Sequence, residues 1–230
     1  MNTYLNNLKK YSKVHINKQK GMTLVELIVV LSIFMLVSGL TIFDYGQFRS
    51  NVSLQNLADD IALSIRRTQN YAISAKSTFG SFSEGYGIHF STAPSNPSSV
   101  RAGSQKSFVI FNNSVAGPFY EHNPSTTTDC SIPNNGTADQ CIDVLTVSSD
   151  DYISRVSSSN GASYPNANNE DGFVTIIFYR PNHDANICIV NAIDLTSTCN
   201  SPDAIIEITN RRTLATKKIK ITSVGQITIK

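Results

Sequence analysis

The residue with the clearest chemical consequence is a single carboxylate inside a long apolar run. From Leu24 to Phe43 the sequence reads LVELIVVLSIFMLVSGLTIF, and Glu26 is its one ionisable side chain. About 20 residues at 1.5 Å each give a helix of roughly 30 Å, the thickness of a bilayer's hydrocarbon core. An acid at that depth is costly unless a positive group neutralises it. The run therefore predicts a membrane-spanning helix in which Glu26 has a functional partner.

A basic segment precedes this run. The residues through Gly21 contain no acid and five lysines, Lys9, Lys10, Lys13, Lys18 and Lys20. The whole chain has a formal net charge of +2, so the part after Gly21 has a net charge of about −3. Positive charge beside an apolar helix stays in the cytoplasm, which predicts export of the C-terminal part. A secretory signal peptide is disfavoured because the run is too long and no small-residue cleavage site follows it. A plain membrane anchor fits the length but gives Glu26 no role.

The segment Lys20-Gly21-Met22-Thr23-Leu24-Val25-Glu26 closely resembles the processing site of type IV prepilins and type II secretion pseudopilins. In that family a prepilin peptidase cuts after the glycine, and the new N-terminal residue is N-methylated. The resemblance implies cleavage after Gly21, methylation of Met22, and a role in filament assembly for Glu26, the fifth mature residue. Glu26 would pair with the amine of a neighbouring subunit's Met22. The family more often has Phe where this chain has Met22.

An amphipathic helix is predicted to continue beyond the apolar run. Its apolar residues recur at spacings of three and four, at Phe48, Val52, Leu57, Ile61, Ile65, Tyr71, Ala72 and Ala75. Its opposite face carries Gln55, Asn56, Asp59, Ser64, Arg67 and Asn70. Such a stripe is typical of a helix that packs on a sheet, and Gly46 is a candidate for a kink or a short melted segment at the membrane boundary.

Short β-like runs separated by Ser, Asn, Gly and Pro begin after Ser77. The predicted strands are Tyr86–Phe90, Ser107–Phe111, Asp143–Val147, Phe173–Tyr179, Ile187–Val190, Ala204–Thr209, Lys218–Thr222 and Gln226–Lys230. Ser223-Val224-Gly225 predicts a hairpin connection in which the glycine takes a positive φ. A helix followed by antiparallel strands predicts an α+β fold with a long N-terminal helix packed on an antiparallel β-sheet domain.

Four segments follow from these patterns. We predict a cleaved basic leader at 1–21, a transmembrane and assembly helix at 22–45, an amphipathic half of the same helix at 46–76, and an exported β-rich domain at 77–230.

A second resemblance involves the exported part. The segment from Leu57-Ala58 to Ala72-Ile73, with Arg66-Arg67 inside it, and the closing hairpin at Ile219–Ile229 look like the H-type minor pseudopilins and related fimbrial minor pilins. In that subfamily the residue after the closing glycine is often Arg, and here it is Gln226.

Four cysteines lie in the predicted exported part: Cys130, Cys141, Cys188 and Cys199. Three pairings are possible, and local spacing favours Cys130–Cys141 and Cys188–Cys199. A zinc site is disfavoured because it needs closer ligand spacing, such as CxxC, and a matching histidine. Disulfides also agree with an oxidising compartment outside the cytoplasm.

Charge is unevenly distributed along the exported part. Acidic pairs at Asp150-Asp151 and Glu170-Asp171 lie beside Asn- and Gly-rich stretches, where calcium is a possible ligand, although solvated loops are the simpler interpretation. No other cofactor and no further metal is predicted. The C-terminal hairpin is basic, with candidate DNA contacts at Arg211, Arg212, Lys217, Lys218 and Lys220. Basic charge alone predicts sequence-independent phosphate contact, and attraction to the acidic middle of a neighbouring subunit is the alternative.

Catalysis finds no support in the sequence. No GxSxG, P-loop, HExxH or dinucleotide motif is present, and His89, His122 and His183 are isolated from one another. We therefore predict a structural subunit rather than an enzyme, a minor pilin or pseudopilin of a type IV pilus or type II secretion-like filament. Its predicted partners are other pilin subunits, the prepilin peptidase and the inner-membrane assembly platform. An anchored adhesin or DNA-uptake protein is the alternative. The predicted location is the bacterial cytoplasmic membrane, with the C-terminal domain outside the cytoplasm, and then the filament.

Overall fold

The computed structural model describes residues 21–74, 85–94, 103–113, 117–120, 130, 139–179, 184–193 and 195–230, without the side chains of 41–45. The chain divides into two compact units at the Gly46–Gln47 boundary. A single helix, α1, runs from Leu24 to Ile73 and contributes to both units. The backbone is helical through Gly46, so the helix is not melted at that residue.

The first unit is described from Gly21 onward, and this described part contains the N-terminal part of α1. Among residues 22–40, the large apolar side chains are all exposed, from 47% for Leu31 to 73% for Leu24. The sequence predicts a membrane-spanning segment at Leu24–Phe43. In the described part of α1, which leaves out the side chains of 41–45, no segment is both long enough and apolar enough to cross a membrane.

In its described residues, the second unit contains the rest of α1 and eleven antiparallel strands in two sheets. The strands are β1 Gly85–Ser91, β2 Ser107–Asn113, β3 Gln140–Thr146, β4 Asp151–Ser157, β5 Ser163–Tyr164, β6 Gly172–Tyr179, β7 Ala185–Asn191, β8 Ser197–Thr198, β9 Asp203–Asn210, β10 Thr216–Thr222 and β11 Ile227–Ile229. The six-stranded sheet has the order β3-β2-β1-β6-β7-β8, and the five-stranded sheet has the order β11-β10-β9-β4-β5. The predicted α+β class is confirmed.

One hydrophobic core joins the helix to both sheets. On α1 its fully buried members are spaced by three, four or seven residues: Leu54, Ala58, Ile61, Ile65 and Ala72. They pack with residues such as Ile88 and Ile176 of the larger sheet and Ile206 and Ile219 of the smaller sheet. Amphipathic helices bury such a stripe because apolar area removed from water is stabilising, by about 25 cal/mol per Å².

The predicted buried stripe of α1 needs two corrections. Phe48 is 67% exposed and Val52 is 41% exposed, so neither belongs to the core face. Leu54 and Ala58 are buried in their place, because the buried stripe is rotated relative to the predicted one. Ser64, predicted on the wet face, is buried and donates its hydroxyl to the Asp60 carbonyl at 2.8 Å. Ala75, the last residue of the predicted stripe, lies outside the described residues.

All eight predicted strands have a counterpart in the structure, and the structure adds β4, β5 and β8. Of these, β4 is a full strand of seven residues. A register shift between Ile153 and Arg155 places its buried apolar residues, Ile153 and Val156, three positions apart. That bulge removes the alternation by which a strand is recognised in a sequence.

The predicted closing hairpin is confirmed in detail. Gly225 has a φ of 81°. Its N–H donates to the Thr222 carbonyl at 2.8 Å, and the Thr222 N–H donates to the Gln226 carbonyl at 3.0 Å. The side chain of Gln69 donates to the Gly225 carbonyl at 2.8 Å, which fixes the hairpin against α1.

Candidate functional site

The predicted processing site lies at the beginning of α1. Gly21 and Met22 precede the helix, and Thr23 is its N-cap residue. The Thr23 hydroxyl oxygen accepts the Glu26 N–H at 3.2 Å, and the Thr23 carbonyl accepts the Leu27 N–H at 3.1 Å. A threonine cap followed three residues later by glutamate has the spacing of a capping box. The segment Thr23–Glu26 is therefore a helix-start signal.

Glu26 is exposed and lies in the first turn of α1. A carboxylate in this turn is favoured by the positive end of the helix dipole. Among residues 21–40 no other side chain is ionisable, and the neighbouring Val25 and Leu27 are exposed apolar residues. Within the first unit the described side chains thus give Glu26 no cationic partner. This carboxylate can therefore accept a hydrogen bond from a protonated amine of another molecule.

Gly21 lies in open space. A Cβ built on Gly21 would meet no atom within 4 Å, and Met22 is 57% exposed. The peptide bond between them is therefore not packed against any described part of the chain. A glycine here is not required by the fold.

The four cysteines form two pairs at disulfide-bonding distance, in the pairing that local spacing favours. The Cα atoms of Cys130 and Cys141 are 5.0 Å apart, and those of Cys188 and Cys199 are 4.0 Å apart. Cys188 is buried on β7, and Cys199 follows β8. Cys141 on β3 packs with Phe111 in a second, smaller hydrophobic cluster. Each pair therefore ties a loop to a buried strand.

The acidic pairs considered for calcium are occupied by internal hydrogen bonds. The buried Asp151 carboxylate accepts the hydroxyls of Ser53 and Ser149 on one oxygen and the Asn210 amide on the other. Its exposed neighbour Asp150 pairs with Arg212 at 2.8 Å. Within the described residues no group of three His, Cys, Asp or Glu side chains could hold a metal ion. Asp151 is therefore a fold-stabilising group and not part of a solvated loop.

The second acidic pair behaves in the same way. Glu170 accepts the side-chain amides of Asn166 and Asn191, the latter at 2.9 Å. Asp171 accepts the hydroxyl of Thr92 at 3.3 Å. These bonds join the β5–β6 connection to the last residue of β7 and to the residue that follows β1.

Most cations of the basic C-terminal hairpin are paired with acids of the same unit. Lys218 lies 3.2 Å from Glu207 and Lys220 lies 2.7 Å from Asp203, both across the β9–β10 ladder. Arg212 pairs with Asp150, as noted above. Three of the five candidate DNA contacts thus form ion pairs within the unit, and Arg211 and Lys217 take no part in these ion pairs.

Asp203 is the most strongly stabilised of these acids. Burial alone would raise its pKa, but hydrogen bonds from Lys220, from the Ser159 N–H and from the Ser158 hydroxyl outweigh burial and lower the pKa to about 2. Those bonds measure 2.7 Å for Lys220, 2.7 Å for Ser159 and 2.9 Å for Ser158. These hydrogen bonds therefore stabilise the charged form of Asp203 at the start of β9.

Within the described residues there is one histidine, and its surroundings indicate a structural role. His89 on β1 is buried, its Nδ1 lies 3.0 Å from the Thr175 hydroxyl, and its ring packs against Tyr120 and Phe173. His122 and His183 lie outside the described residues.

Sequence reasoning missed the polar network that fastens α1 to the smaller sheet. Ser53 donates to Asp151 at 2.5 Å, and the hydroxyls of Ser50 and Thr213 lie 2.6 Å apart. These partners are separated by roughly a hundred residues or more, so no local pattern could have paired them. The serine spacing of three on a helix was the one available signal.

Comparison with known proteins adds one finding at the N-terminus. Residues 16–42 match the family described as the prokaryotic N-terminal methylation motif. No curated protein and no solved structure matches the chain. The matched residues include Gly21, Met22 and Glu26 and extend into the exposed apolar part of α1. The chain therefore carries the N-terminal processing motif of type IV prepilin-like proteins.

Proposed function

We propose that this chain is a minor pilin or pseudopilin, a structural subunit that joins a type IV pilus or a type II secretion-like filament through its N-terminal helix. A prepilin peptidase cuts it after Gly21 and Met22 becomes the methylated N-terminus. The leader through Gly21 stays in the cytoplasm, and the second unit is exported.

The observation that carries this proposal is the combination of the methylation motif with a helix that has no cover of its own. Met22 and the apolar residues from Leu24 to Leu40 are about half exposed or more, on every side of α1. A helix that is apolar all round must be buried in lipid or among other helices. Lipid before assembly and neighbouring subunits after assembly supply those two environments. We propose that Leu24–Phe43 holds the subunit in the cytoplasmic membrane until the assembly platform transfers it to the filament.

Glu26 has a specific role in this proposal. It forms an ion pair with the amine of Met22 in a neighbouring subunit, so that two charges enter an apolar helix bundle as one neutral pair. The capping geometry supports this role because the helix begins at Leu24, which leaves Met22 outside the helix and its amine free to reach another chain.

The second unit has the properties of a scaffold. Its polar clusters at Asp151, Glu170 and Asp203 are engaged in internal hydrogen bonds, and two disulfide-distance pairs tie down its loops. An anchored DNA-uptake protein is the less favoured function, because Lys218 and Lys220, two of its five candidate contacts, are paired internally. Its test is a gel shift, in which salt-sensitive DNA binding by the full chain in detergent would restore it.

The experiment that tests the proposal separates the charge of Glu26 from its capping position. Glu26→Ala removes both, whereas Glu26→Gln removes the charge and keeps a residue type that serves at the third position of a capping box. Cells that express each variant are fractionated into membranes and sheared filaments, and the subunit is quantified in both fractions.

We expect both variants to remain in the membrane and both to be lost from the filament fraction. Normal incorporation of Glu26→Gln, with loss of Glu26→Ala alone, would show that Glu26 acts as a cap and would remove the ion pair from the mechanism. Normal incorporation of both variants would contradict the assembly role of Glu26 altogether.

A further inference from the structure

We propose that one end of the second unit contacts the headgroup layer of an anionic bilayer. The contact is made by an entry surface, which we define as Phe48, Arg49, Arg211, Arg212 and Leu214. This inference rests on the proposed function, because that function supplies the membrane that Leu24–Phe43 enters.

The entry surface is built around the turn between β9 and β10, which is fixed to the start of the helix in this unit. The hydroxyls of Thr213 in the turn and Ser50 in α1 lie 2.6 Å apart. Ser53, one helical turn later, donates to Asp151, which in turn accepts the amide of Asn210. The turn therefore lies beside the residues at which the chain enters the unit.

This turn presents an apolar side chain to solvent. Leu214 is 73% exposed and has a φ of 57°, in the left-handed region that bulky residues avoid at a cost of roughly 1–2 kcal/mol. Its N–H donates to the Asn210 carbonyl at 2.9 Å, while the Asn210 side chain accepts the N–H groups of Arg212 and Thr213 at 3.0 and 3.1 Å. The hydrogen bonds thus hold Leu214 outward, away from the core.

The charge at this surface favours an anionic partner. Arg49, Arg211 and Arg212 are exposed, and Arg211 lies over the Tyr152 ring at 5.3 Å. Lys106 is close enough to Arg211 that the Arg211 charge adds to burial in lowering the Lys106 pKa. Among the described side chains, the acids facing this cluster are Asp150, which pairs with Arg212, and the buried Asp151. The three arginines of the entry surface therefore outnumber these two acids.

Chain length places a membrane within reach of this surface. Ser50 lies seven positions after Phe43, a distance of about 10 Å as a helix and at most about 25 Å when fully extended. The headgroup layer adds roughly 5–8 Å beyond the hydrocarbon core. Phe48 and Arg49 lie at the start of the second unit, closest along the chain to that layer, and the Ser50–Thr213 contact brings the β9–β10 turn beside them.

The mixture of side chains indicates lipid rather than nucleic acid. Arginine pairs with lipid phosphates, while Phe48, which is 67% exposed, and Leu214 can enter the region between headgroups and acyl chains. A DNA backbone offers phosphates but no apolar phase for these two side chains.

The absence of tryptophan from the chain allows a direct test. Leu214→Trp in the β9–β10 turn introduces a single tryptophan on the entry surface, and Phe48→Trp on α1 provides a second probe of the same surface. Val224→Trp is the matched control, because Val224 is 62% exposed in the β10–β11 turn. That turn contacts α1 at Gln69, which lies 19 residues farther along the helix than Ser50. Each full-length variant is reconstituted into phosphatidylcholine vesicles with or without phosphatidylglycerol, which contain a nitroxide-labelled headgroup lipid as quencher.

We expect several-fold stronger quenching of Leu214→Trp and Phe48→Trp than of Val224→Trp. The quenching should increase with phosphatidylglycerol and fall when Arg211→Gln and Arg212→Gln are added. If the chain resists a urea wash of the vesicles but all three probes are quenched equally, the entry surface is contradicted while the membrane anchor stands. If the urea wash removes the chain, the anchor fails and the entry surface fails with it. Salt-sensitive DNA binding through Arg211 and Arg212, without any effect of phosphatidylglycerol, would assign the surface to nucleic acid instead.

Discussion

The two units of this chain treat apolar residues in opposite ways. In the first unit, Leu24, Met35 and Leu40 are 70–73% exposed, and no described contact covers them. In the second unit, Ile61, Ile88 and Ile206 are completely buried in a core shared by the helix and both sheets. The same residue types therefore stabilise the fold in one unit and remain available to other molecules in the other. The difference separates a part of the chain that has its own hydrophobic core from a part whose apolar side chains the described residues leave uncovered.

The largest effect that this comparison predicts is on the core face of α1. Ile61→Ala should lower the free energy of unfolding of the second unit by about 2–5 kcal/mol, because it removes a fully buried side chain and leaves a cavity. Leu63→Ala is the matched control on the same helix, since Leu63 is 61% exposed, and should change that free energy by less than about 0.5 kcal/mol. Urea unfolding of the full chain in detergent measures both.

Substitution in the first unit sharpens the same comparison. Leu31→Ala should leave the unfolding curve of the second unit unchanged, because Leu31 is exposed and belongs to the other unit. A loss of stability in the second unit as large as that of Ile61→Ala would contradict the independence of the two units.

The disulfide-distance pairs should give the next largest effect. Replacing Cys188 and Cys199 together by Ser should destabilise the second unit by roughly 2–3 kcal/mol, since the pair closes a loop of sequence separation 11. The same double replacement at Cys130 and Cys141, with the same separation, is the natural comparison. Both are measured by urea unfolding without reductant. If adding reductant does not affect the unmodified chain, the pairs are not covalently joined in the isolated protein.

A smaller effect is expected from pH. The pKa of Asp203 falls from its ordinary value of 3.8 to about 2 on folding, so its contribution to stability is complete above about pH 4 and is lost as the pH falls toward 2. We expect a loss of about 1–2 kcal/mol over this window, after allowance for the partly exposed Lys220. Asp203→Asn should remove this part of the pH dependence. An unchanged pH profile in Asp203→Asn would show that other carboxylates are responsible.

The smallest effect should come from the turn that displays Leu214. Leu214→Gly removes the strain of the left-handed backbone at this position. It should leave the free energy of unfolding of the second unit unchanged or raise it by less than about 1 kcal/mol. Leu195, with a φ of 55° and 62% exposure, is a matched site in the β7–β8 turn. Thermal unfolding of both variants measures the strain, and a marked loss of stability in Leu214→Gly would mean that its side chain packs in a way that the exposure does not indicate.

Local patterns in the sequence were sufficient for much of the fold. The apolar run and the Gly225 hairpin are each encoded within a few residues, and the structure begins α1 at Leu24 and gives Gly225 a positive φ, as predicted. The strand β4 was missed because its bulge breaks the alternation, and the buried stripe of α1 was misplaced because Phe48 and Val52 are apolar but face solvent. Periodicity records which residues are apolar, whereas burial depends on which surface the helix meets.

The candidate site divides in the same way. Gly21, Met22 and Glu26 were predicted from one contiguous motif that needs no tertiary information. The carboxylates were harder, because whether Asp151 and Asp203 are solvated depends on Asn210 and Lys220, which are brought to them by strand pairing. The charge of the basic hairpin depends on strand pairing in the same way, since Glu207 and Asp203, the partners of Lys218 and Lys220, lie on the neighbouring strand.

The central claim, that the chain is a processed prepilin-like subunit, is tested most directly by the N-terminal mass of the protein recovered from its own cell membranes. Gly21→Val is the control, because a side chain at Gly21 would meet no atom within 4 Å and should disturb recognition by the peptidase without disturbing the fold. We predict a chain that begins at Met22 and is heavier by one methyl group, and an uncut chain for Gly21→Val. An unmodified chain that still begins at Met1 would contradict the account and leave a plain membrane anchor in its place.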